Sequence, residues 1–301
     1  QDTQPTTFFA VPRIWTRFHL AVIARLSQRK LDVLLHIPIL AGIVRKKIRT
    51  ALGLRDAKIV ATGAAITPAY LKAWYKKLGI HLIEAYGMTE VSGAICYGVD
   101  RATPPDSVGK PAPFCEVKIG YGTGEILMKT PHVMTGYYKD PEMTANILRD
   151  GWIHSGDKGQ IDENGFIKIS GRINDAFKTA KGQFVIPNPT EEILASGEYI
   201  EQVCVVGLGI PQPIALINLS ETGLAAPPEA VEKSLTEELL KVNADLTGYQ
   251  KLSTLVILRE AWTESNQLLT PTLKVRRGKV DETFGPKYLA WHQDERRILW
   301  E

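Results

Sequence analysis

Five short stretches of the chain hold side chains suited to a phosphorylated ligand. The first is Tyr86-Gly87-Met88-Thr89-Glu90, which follows a predicted strand over residues 80–85. The turn after the carboxyl end of a parallel strand is where α/β sheets place ligands. Tyr86 can stack on a base, and Thr89 offers a hydroxyl to a phosphate. Glu90 is the kind of ligand magnesium takes, one or two carboxylates beside substrate phosphates. A strand-ending turn with a solvated glutamate accounts for the same string. The second stretch, residues 152–159, sets Asp157 between Gly156 and Gly159. Glycines let a backbone approach a ligand closely, and an aspartate can accept two ribose hydroxyl protons. His154, Ser155 and Asp157 do not read as a nucleophilic triad, because sequence neighbours rarely converge that way and no G-x-S-x-G elbow is present.

The third stretch, Gly171-Arg172-Ile173-Asn174-Asp175, offers Arg172 to a hydroxyl or phosphate, or is a turn with a surface ion pair. The fourth, residues 178–182 with Lys181 and Gly182, is a basic loop that either faces an anionic ligand or is solvated. The fifth, residues 269–277, contains Lys274, whose ammonium can stabilise the charge of a carboxylate attacking a phosphate. Solvated surface is the plain alternative for such a basic run. Two further patterns carry no chemistry. Gly120-Tyr121-Gly122-Thr123-Gly124 lies between short predicted strands with no helix after it, so it reads as a hairpin turn rather than a phosphate cradle. The 6 histidines are scattered, and none stands at metal-ligand spacing from another or from a cysteine.

The elements that must position these stretches alternate in type. Residues 13–26 carry Ile14, Phe18, Val22 and Leu26, about one apolar residue per turn of a helix. Residues 33–44 form a short apolar run interrupted by Pro38 and Gly42, followed by Arg45, Lys46, Lys47 and Arg49. This reads either as a buried helical hairpin or as a patch for a membrane surface, where basic residues beside apolar ones meet anionic lipid. Strand, helix and strand follow over 57–62, 68–78 and 80–85, the texture of a parallel sheet with crossovers. From about residue 109 short turn-bounded strands predict a β-rich subdomain reaching residue 172. The predicted domains are 1–172, the remainder of a large α/β domain, and 173–301, a small α+β domain. In the latter, helices over 187–195 and 229–246 flank strands over 202–208, 214–219 and 251–258.

Composition sets outer bounds. The chain has 301 residues, which suits two domains, and 44% hydrophobic content, enough for a core without disulfides or metal. With 36 basic and 33 acidic residues the net charge is +3, too small to argue for nucleic acid as a partner. The 3 cysteines, widely spaced and odd in number, fit a reducing compartment. No apolar run is long enough to span a bilayer, and no signal segment opens the chain. The expected location is cytoplasmic, with peripheral contact at the inner face of the membrane as an extension of the patch reading.

The order TGAAITP (62–68), YGMTE (86–90), WIHSGDKG (152–159), SGRINDAFKTAKG (170–182) and LTPTLKVRR (269–277) resembles the adenylate-forming enzyme superfamily of acyl-CoA synthetases, luciferases and adenylation domains. PHVMTGYYKDPEMT (131–144) is similar to the family's linking segment. Within the group, FFAVPRIW (8–15) and the PTLK form of the last motif look most like long- or medium-chain fatty acyl-CoA ligases. The resemblance implies the following roles. Gly63, Ala64 and Ala65 line an adenine pocket, and Tyr86, beside Gly87, packs on the base. Thr89 contacts the α-phosphate and Glu90 binds Mg²⁺. Asp157 holds the ribose hydroxyls with help from Arg172, and Lys274 orients the fatty acid carboxylate and the α-phosphate. The loop at Lys181 and Gly182 lines a tunnel for coenzyme A, and Asn174 falls at the hinge. ATP or AMP, Mg²⁺ and coenzyme A are the implied cofactors. The implied activity is adenylation of a fatty acid and transfer of the acyl group to coenzyme A. Transfer to a carrier protein, or retention of AMP or acyl-adenylate without turnover, are the alternatives.

Departures from the family pattern are Asn174 where Asp or Lys is common, Gln183 where Glu is common, and a longer PNPTEEIL at 187–194. The family's Ser/Thr/Gly-rich loop that cradles the β- and γ-phosphates is not found. The chain is therefore expected to be the later part of a longer ligase, inactive in adenylation by itself, with apolar surface exposed on residues 1–100.

Overall fold

The computed structural model describes residues 3–301. Its contacts divide the chain into two units, Gln1–Ile169 and Ser170–Glu301. The first unit opens with β1 (Thr7–Ala10), followed by α1 (Pro12–Arg25), α2 (Gln28–His36) and α3 (Pro38–Ala51). Then come β2 (Ile59–Gly63), α4 (Ala69–Lys77), β3 (Leu82–Met88), β4 (Gly93–Tyr97) and β5 (Lys110–Pro111). These five strands form one sheet in the order β1-β2-β3-β4-β5. The pairs β1–β2 and β2–β3 are parallel and β3–β4 and β4–β5 antiparallel. The periodicity of 13–26 is realised as α1, and Gly79 ends the turn after α4 in the left-handed region, φ 73°. The strand at β1 carries no sequence signal of its own, because Phe8, Phe9 and Ala10 read equally well as the start of a helix. Pro38, at the first position of α3, separates the two helices of the hairpin, as its missing N–H permits. Gly42, expected to interrupt the run, lies inside α3 without a break.

The core of this layer is aromatic. Trp15 is fully buried and meets Phe8, Phe18 and Tyr75 edge-on at ring distances of 5.3, 5.9 and 5.2 Å. Its indole N–H donates to the Ala10 carbonyl at 3.1 Å, and Tyr75 donates its hydroxyl to the Trp15 carbonyl at 2.7 Å. Each buried polar tip of these rings is thus satisfied. β6 (Glu116–Ile119), β7 (Glu125–Lys129), α5 (Pro141–Ile147), β8 (Leu148–Arg149) and β9 (Trp152–Ile161) follow, and β10 (Ile167–Arg172) spans the division at Ile169. A second sheet runs in the order β10-β9-β7-β6, with β8 paired to β9. The Gly120–Gly124 segment is the β6–β7 hairpin turn, its Tyr121 fully exposed.

The second unit begins with the two-stranded ribbon β11 (Phe177–Lys178) and β12 (Phe184–Val185) and the helix α6 (Asn188–Leu194). β13 (Ile200–Val206), β14 (Ile214–Leu219), α7 (Glu221–Ala225), α8 (Pro228–Asp245) and β15 (Leu255–Ile257) follow. The unit ends with α9 (Arg277–Phe284), α10 (Tyr288–Gln293) and β16 (Ile298–Trp300). Its sheet runs β13-β14-β15-β16. β14 is buried at every position, so it does not alternate; its one polar residue, Asn218, is satisfied by the Glu260 carbonyl at 2.9 Å and the Trp262 N–H at 2.9 Å. The stripe Val231, Leu235, Leu239 and Val242 seals α8 against one face of this sheet.

His19, on α1, gives this fold a pH dependence. Its ring stands 4.6 Å from Trp74, its Nδ1 is buried without a hydrogen-bond partner, and burial lowers its pKa from 6.5 to about 4. The folded state keeps the ring neutral while the unfolded chain takes up a proton below 6.5. Stability is therefore full above that pH and falls as pH drops toward 4, by at most about 3 kcal/mol. Denaturant titrations between these limits are expected to show this slope, and His19→Phe to flatten it.

Candidate functional site

In the first unit a buried carboxylate ties the 62–68 stretch to the strand that carries Tyr86, and Tyr86 in turn meets Asp157. Glu84, on β3, is 3% exposed. It accepts a hydrogen bond from the Thr67 backbone N–H at 2.8 Å and pairs with Lys72 of α4, which also donates to the Ser107 carbonyl at 3.0 Å. Burial pushes the Glu84 carboxyl up, and Lys72 and the Thr67 N–H oppose that shift. The loop from Gly63 to Thr67 is therefore pinned at both ends, by the β2–β3 pairing and by Glu84. Gly63 sits opposite Ala85 in the register, and a Cβ there would come within 2.8 Å of the Ala85 carbonyl. Ala64 takes a left-handed backbone, φ 68°, and Ala64 and Ala65 are exposed.

The YGMTE stretch departs from its expected placement. Tyr86, Gly87 and Met88 are the last residues of β3 rather than the turn after it, and the turn is the 3₁₀ segment Thr89–Val91. Close pairing with β4 prolongs the strand: a Cβ on Gly87 would lie 2.0 Å from the Gly93 carbonyl oxygen. Ser92 (φ 60°) and Gly93 (φ 118°) reverse the chain. Thr89 is left exposed at the turn. Glu90 accepts from the Tyr137 hydroxyl at 2.5 Å through Oε1, and the Met134 N–H donates to the Glu90 carbonyl at 2.7 Å. That hydrogen bond raises the Tyr137 pKa to about 12, so the phenol stays a donor to the carboxylate. Oε2 of Glu90 has no hydrogen-bond partner among the described residues, which suits a cation held by one carboxylate and by phosphate oxygens. Among the described residues no group of three His, Cys, Asp or Glu forms a metal cage.

Asp157 reaches Tyr86 because β9 is bulged. Glu125 pairs with Lys158 and Leu127 with His154, so three residues of β9, 155–157, face one residue of β7. Gly156 takes φ 69° within the bulge. Glu125 stabilises it, accepting the Gly156 N–H at 2.9 Å and meeting His154 Nδ1 at 2.9 Å, while Ser155 Oγ accepts the Asp157 N–H at 3.0 Å. The bulge aims the Asp157 side chain so that Oδ2 accepts the Tyr86 hydroxyl at 2.8 Å. Burial and the charge of Asp157 raise the Tyr86 pKa, so Tyr86 remains a neutral donor. The glycine beside Asp157 was legible in the sequence. The supporting carboxylate of Glu125 and the hydroxyl of Tyr137 were not, because each meets its partner across strands.

The second unit holds the remaining residues. Arg172 ends β10, and Asn174 is exposed on the 3₁₀ turn Ile173–Asp175. Lys181 and Gly182 are exposed in the turn between β11 and β12. That turn is closed by Thr179 N–H to Gln183 carbonyl and Gly182 N–H to Thr179 carbonyl, each 2.9 Å. Lys274 sits in a closed turn rather than a loose basic loop. Leu269 bridges Val275, the Thr270 N–H donates to the Lys274 carbonyl at 2.8 Å, and Thr270 Oγ1 accepts the Lys274 N–H at 3.0 Å. Arg277, which the sequence shows only as part of the basic run, is an internal tie. Its Nη2 donates to both oxygens of Glu191 at 2.7 and 3.0 Å and its Nη1 to the Val205 carbonyl at 2.8 Å; Asp175 lies 3.8 Å away. It thus fixes the turn carrying Asn174 and the segment carrying Lys274 within one framework.

Exposed Ala64 and Ala65, the Tyr86–Asp157 pair and the Glu90–Tyr137 pair are the groups that the first unit offers to a ligand. The family model described as AMP-binding enzyme matches residues 1–138, and that of the AMP-binding enzyme C-terminal domain matches residues 174–287. The chain belongs to the adenylate-forming superfamily of AMP-binding enzymes. It is 29% identical over 331 residues to long-chain-fatty-acid–CoA ligase 5 of Mus musculus, a match covering 93% of this chain and 48% of the relative. It is 30% identical over 270 residues to long-chain-fatty-acid–CoA ligase FadD15 of Mycobacterium bovis, covering 84% and 45%. The structure of an A-PCP didomain of carboxylic acid reductase from Segniliparus rugosus, in complex with AMP, superposes with a TM-score of 0.75 at 23% identity, covering 96% and 42%. The α/β and α+β fold class expected from the sequence is thus that of the superfamily. The chain spans about half the length of the curated relatives it matches.

Two substitutions probe this framework. Lys72→Met is expected to strand Glu84 as a buried unpaired carboxylate and to lower stability by about 3–5 kcal/mol, read as a fall in denaturant midpoint. Gly87→Ala is expected to force β3 and β4 apart at a cost of about 3 kcal/mol, with a matching loss of amide-exchange protection in both strands.

Proposed function

We propose that this chain is the later part of an ATP-dependent fatty acid–CoA ligase. The observation that carries the reading is the Tyr86–Asp157 contact at 2.8 Å, which supports Asp157 as the acceptor of ribose hydroxyls and Tyr86 as its neighbour at the base. The matches to long-chain fatty acid–CoA ligases over most of this chain support the acid and the acceptor. In the first step a fatty acid carboxylate oxygen attacks the α-phosphorus of ATP, forming the acyl–adenylate bond as the bond to pyrophosphate breaks. In the second, the thiolate of coenzyme A attacks the acyl carbonyl carbon and AMP leaves.

Each assigned residue has a physical task in that sequence. Thr89 donates its hydroxyl to the α-phosphate, and the ammonium of Lys274 offsets charge gathering on the phosphate oxygens as the carboxylate approaches. Glu90 would hold Mg²⁺, which when bound would supply further neutralisation of the phosphate charge. Arg172 assists at the ribose. A turn of the second unit about Asn174 would replace Lys274 by the Lys181–Gly182 loop, so one site serves both steps. The loop for the β- and γ-phosphates belongs, on this reading, to a part of the whole protein that this chain does not contain.

The test is fatty-acid-dependent ATP–pyrophosphate exchange across acids of increasing length, run on the longer gene product and on this chain in parallel. Exchange by the longer protein alone is the expected result. Lys274→Ala in the longer protein should lower exchange by about 100-fold or more while AMP affinity changes little. Folded longer protein that binds AMP but exchanges with no acid would replace the ligase by a nucleotide-binding protein.

A further inference from the structure

The hairpin of α2 and α3 bears a pattern that the nucleotide chemistry does not use. Its inner side is committed to the core through Leu31, Ala41 and Ile48, all buried. Its outer end is apolar and open: Val33 is 58% exposed, Ile39 81% and Ile43 51%, with exposed Ile37 between the helices. Residues three or four apart share a helix face. One turn back from the tip, the exposed residues on those faces are Arg29 and Lys30 on α2 and Lys46 and Lys47 on α3. The acid nearest the tip, Asp32, is engaged by Gln28 at 2.8 Å and Lys77 at 3.1 Å. The result is an aliphatic tip inside a collar of positive charge.

Single exposed aliphatic residues are ordinary, but a contiguous group marks a contact surface. The collar decides the kind of partner. Two copies joined tip to tip would bring their cationic collars together, which disfavours self-association. A bilayer with anionic headgroups offers negative charge at the depth of the collar and hydrocarbon at the depth of the tip. With a net charge of only +3 for the chain, such attraction is local to the hairpin. We propose that the α2–α3 hairpin docks on an anionic lipid surface. Val33, Ile37, Ile39 and Ile43 enter the boundary between headgroups and acyl chains, and Arg29, Lys30, Lys46 and Lys47 lie against lipid phosphates. The proposal stands on the hairpin alone and does not depend on the ligase reading.

Co-sedimentation with phosphatidylcholine vesicles, with and without phosphatidylglycerol, tests it on this chain and on the longer gene product. Both proteins are expected to bind the anionic vesicles, more weakly in high salt. Each collar residue replaced by Ala should weaken binding about fivefold. Ile39→Glu with Ile43→Glu should abolish binding although the collar remains. Because these positions are solvent-exposed, circular dichroism and melting of the variants should match the parent. Lys233→Ala with Arg259→Ala, which removes two positive charges from the second unit, should leave binding unchanged. Equal binding to neutral vesicles, equal loss in that control pair, or no binding at all would overturn the proposal. Binding by this chain but not by the longer protein would overturn it too, by showing the tip covered. A dimer in sedimentation velocity without vesicles that Ile39→Glu dissolves would assign the tip to a second copy instead.

Discussion

The first unit depends on the buried carboxylate of Glu84. A charge at 3% exposure is stable only if every lone pair it presents is met, and the partners here come from different elements. Lys72 comes from α4 and the Thr67 N–H from the loop after β2, while Glu84 itself stands two residues before Tyr86 on β3. The requirement to satisfy one carboxylate therefore fixes the Gly63–Thr67 loop against the strand that carries the phenol. Thr62 and Thr67, joined through their hydroxyls at 3.1 Å, close the same loop from within. A polar network of this kind restricts the loop to one arrangement.

The other half of the site is reached by a distortion of a regular ladder. A straight β9 would alternate its side chains across the sheet and give Asp157 no special direction. The bulge at residues 155–157, held by both oxygens of Glu125, redirects it onto Tyr86. The Thr89–Val91 turn is organised in the same way from outside, by Tyr137 and Met134 of the segment that precedes α5. In both places the residue suited to ligand chemistry is presented by a neighbour that does not face the ligand.

The second unit uses the same economy with a cation. Arg277 joins the start of α9 to α6, to β13 and to the turn of Asp175, so residues far apart in the chain move as one body. The turns bearing Lys274 and Lys181 are each closed by their own backbone hydrogen bonds. Both positively charged turns are thus presented on rigid backbone within one unit.

The sequence by itself determined the elements whose signals are local: α1 and α8 by their apolar stripes, α4 by the Gly79 that ends it, β14 as a mostly apolar run, and the hairpin turn at Gly122 and Gly124 by its glycines. The order of the short motifs, a property of the chain alone, also pointed to the superfamily. Tertiary structure decided what depends on contact between distant residues. β1 is a strand because β2 pairs with it, and Tyr86–Met88 stay extended because β4 closes on Gly87. Glu84, Glu125, Tyr137 and Arg277 became supports of the site only when folding brought partners 12 to 86 residues away to their side chains. The hairpin at 28–51 shows both limits. Its helices are legible from spacing, whereas which aliphatic residues face the core and which face outward was settled by the packing of Leu31, Ala41 and Ile48.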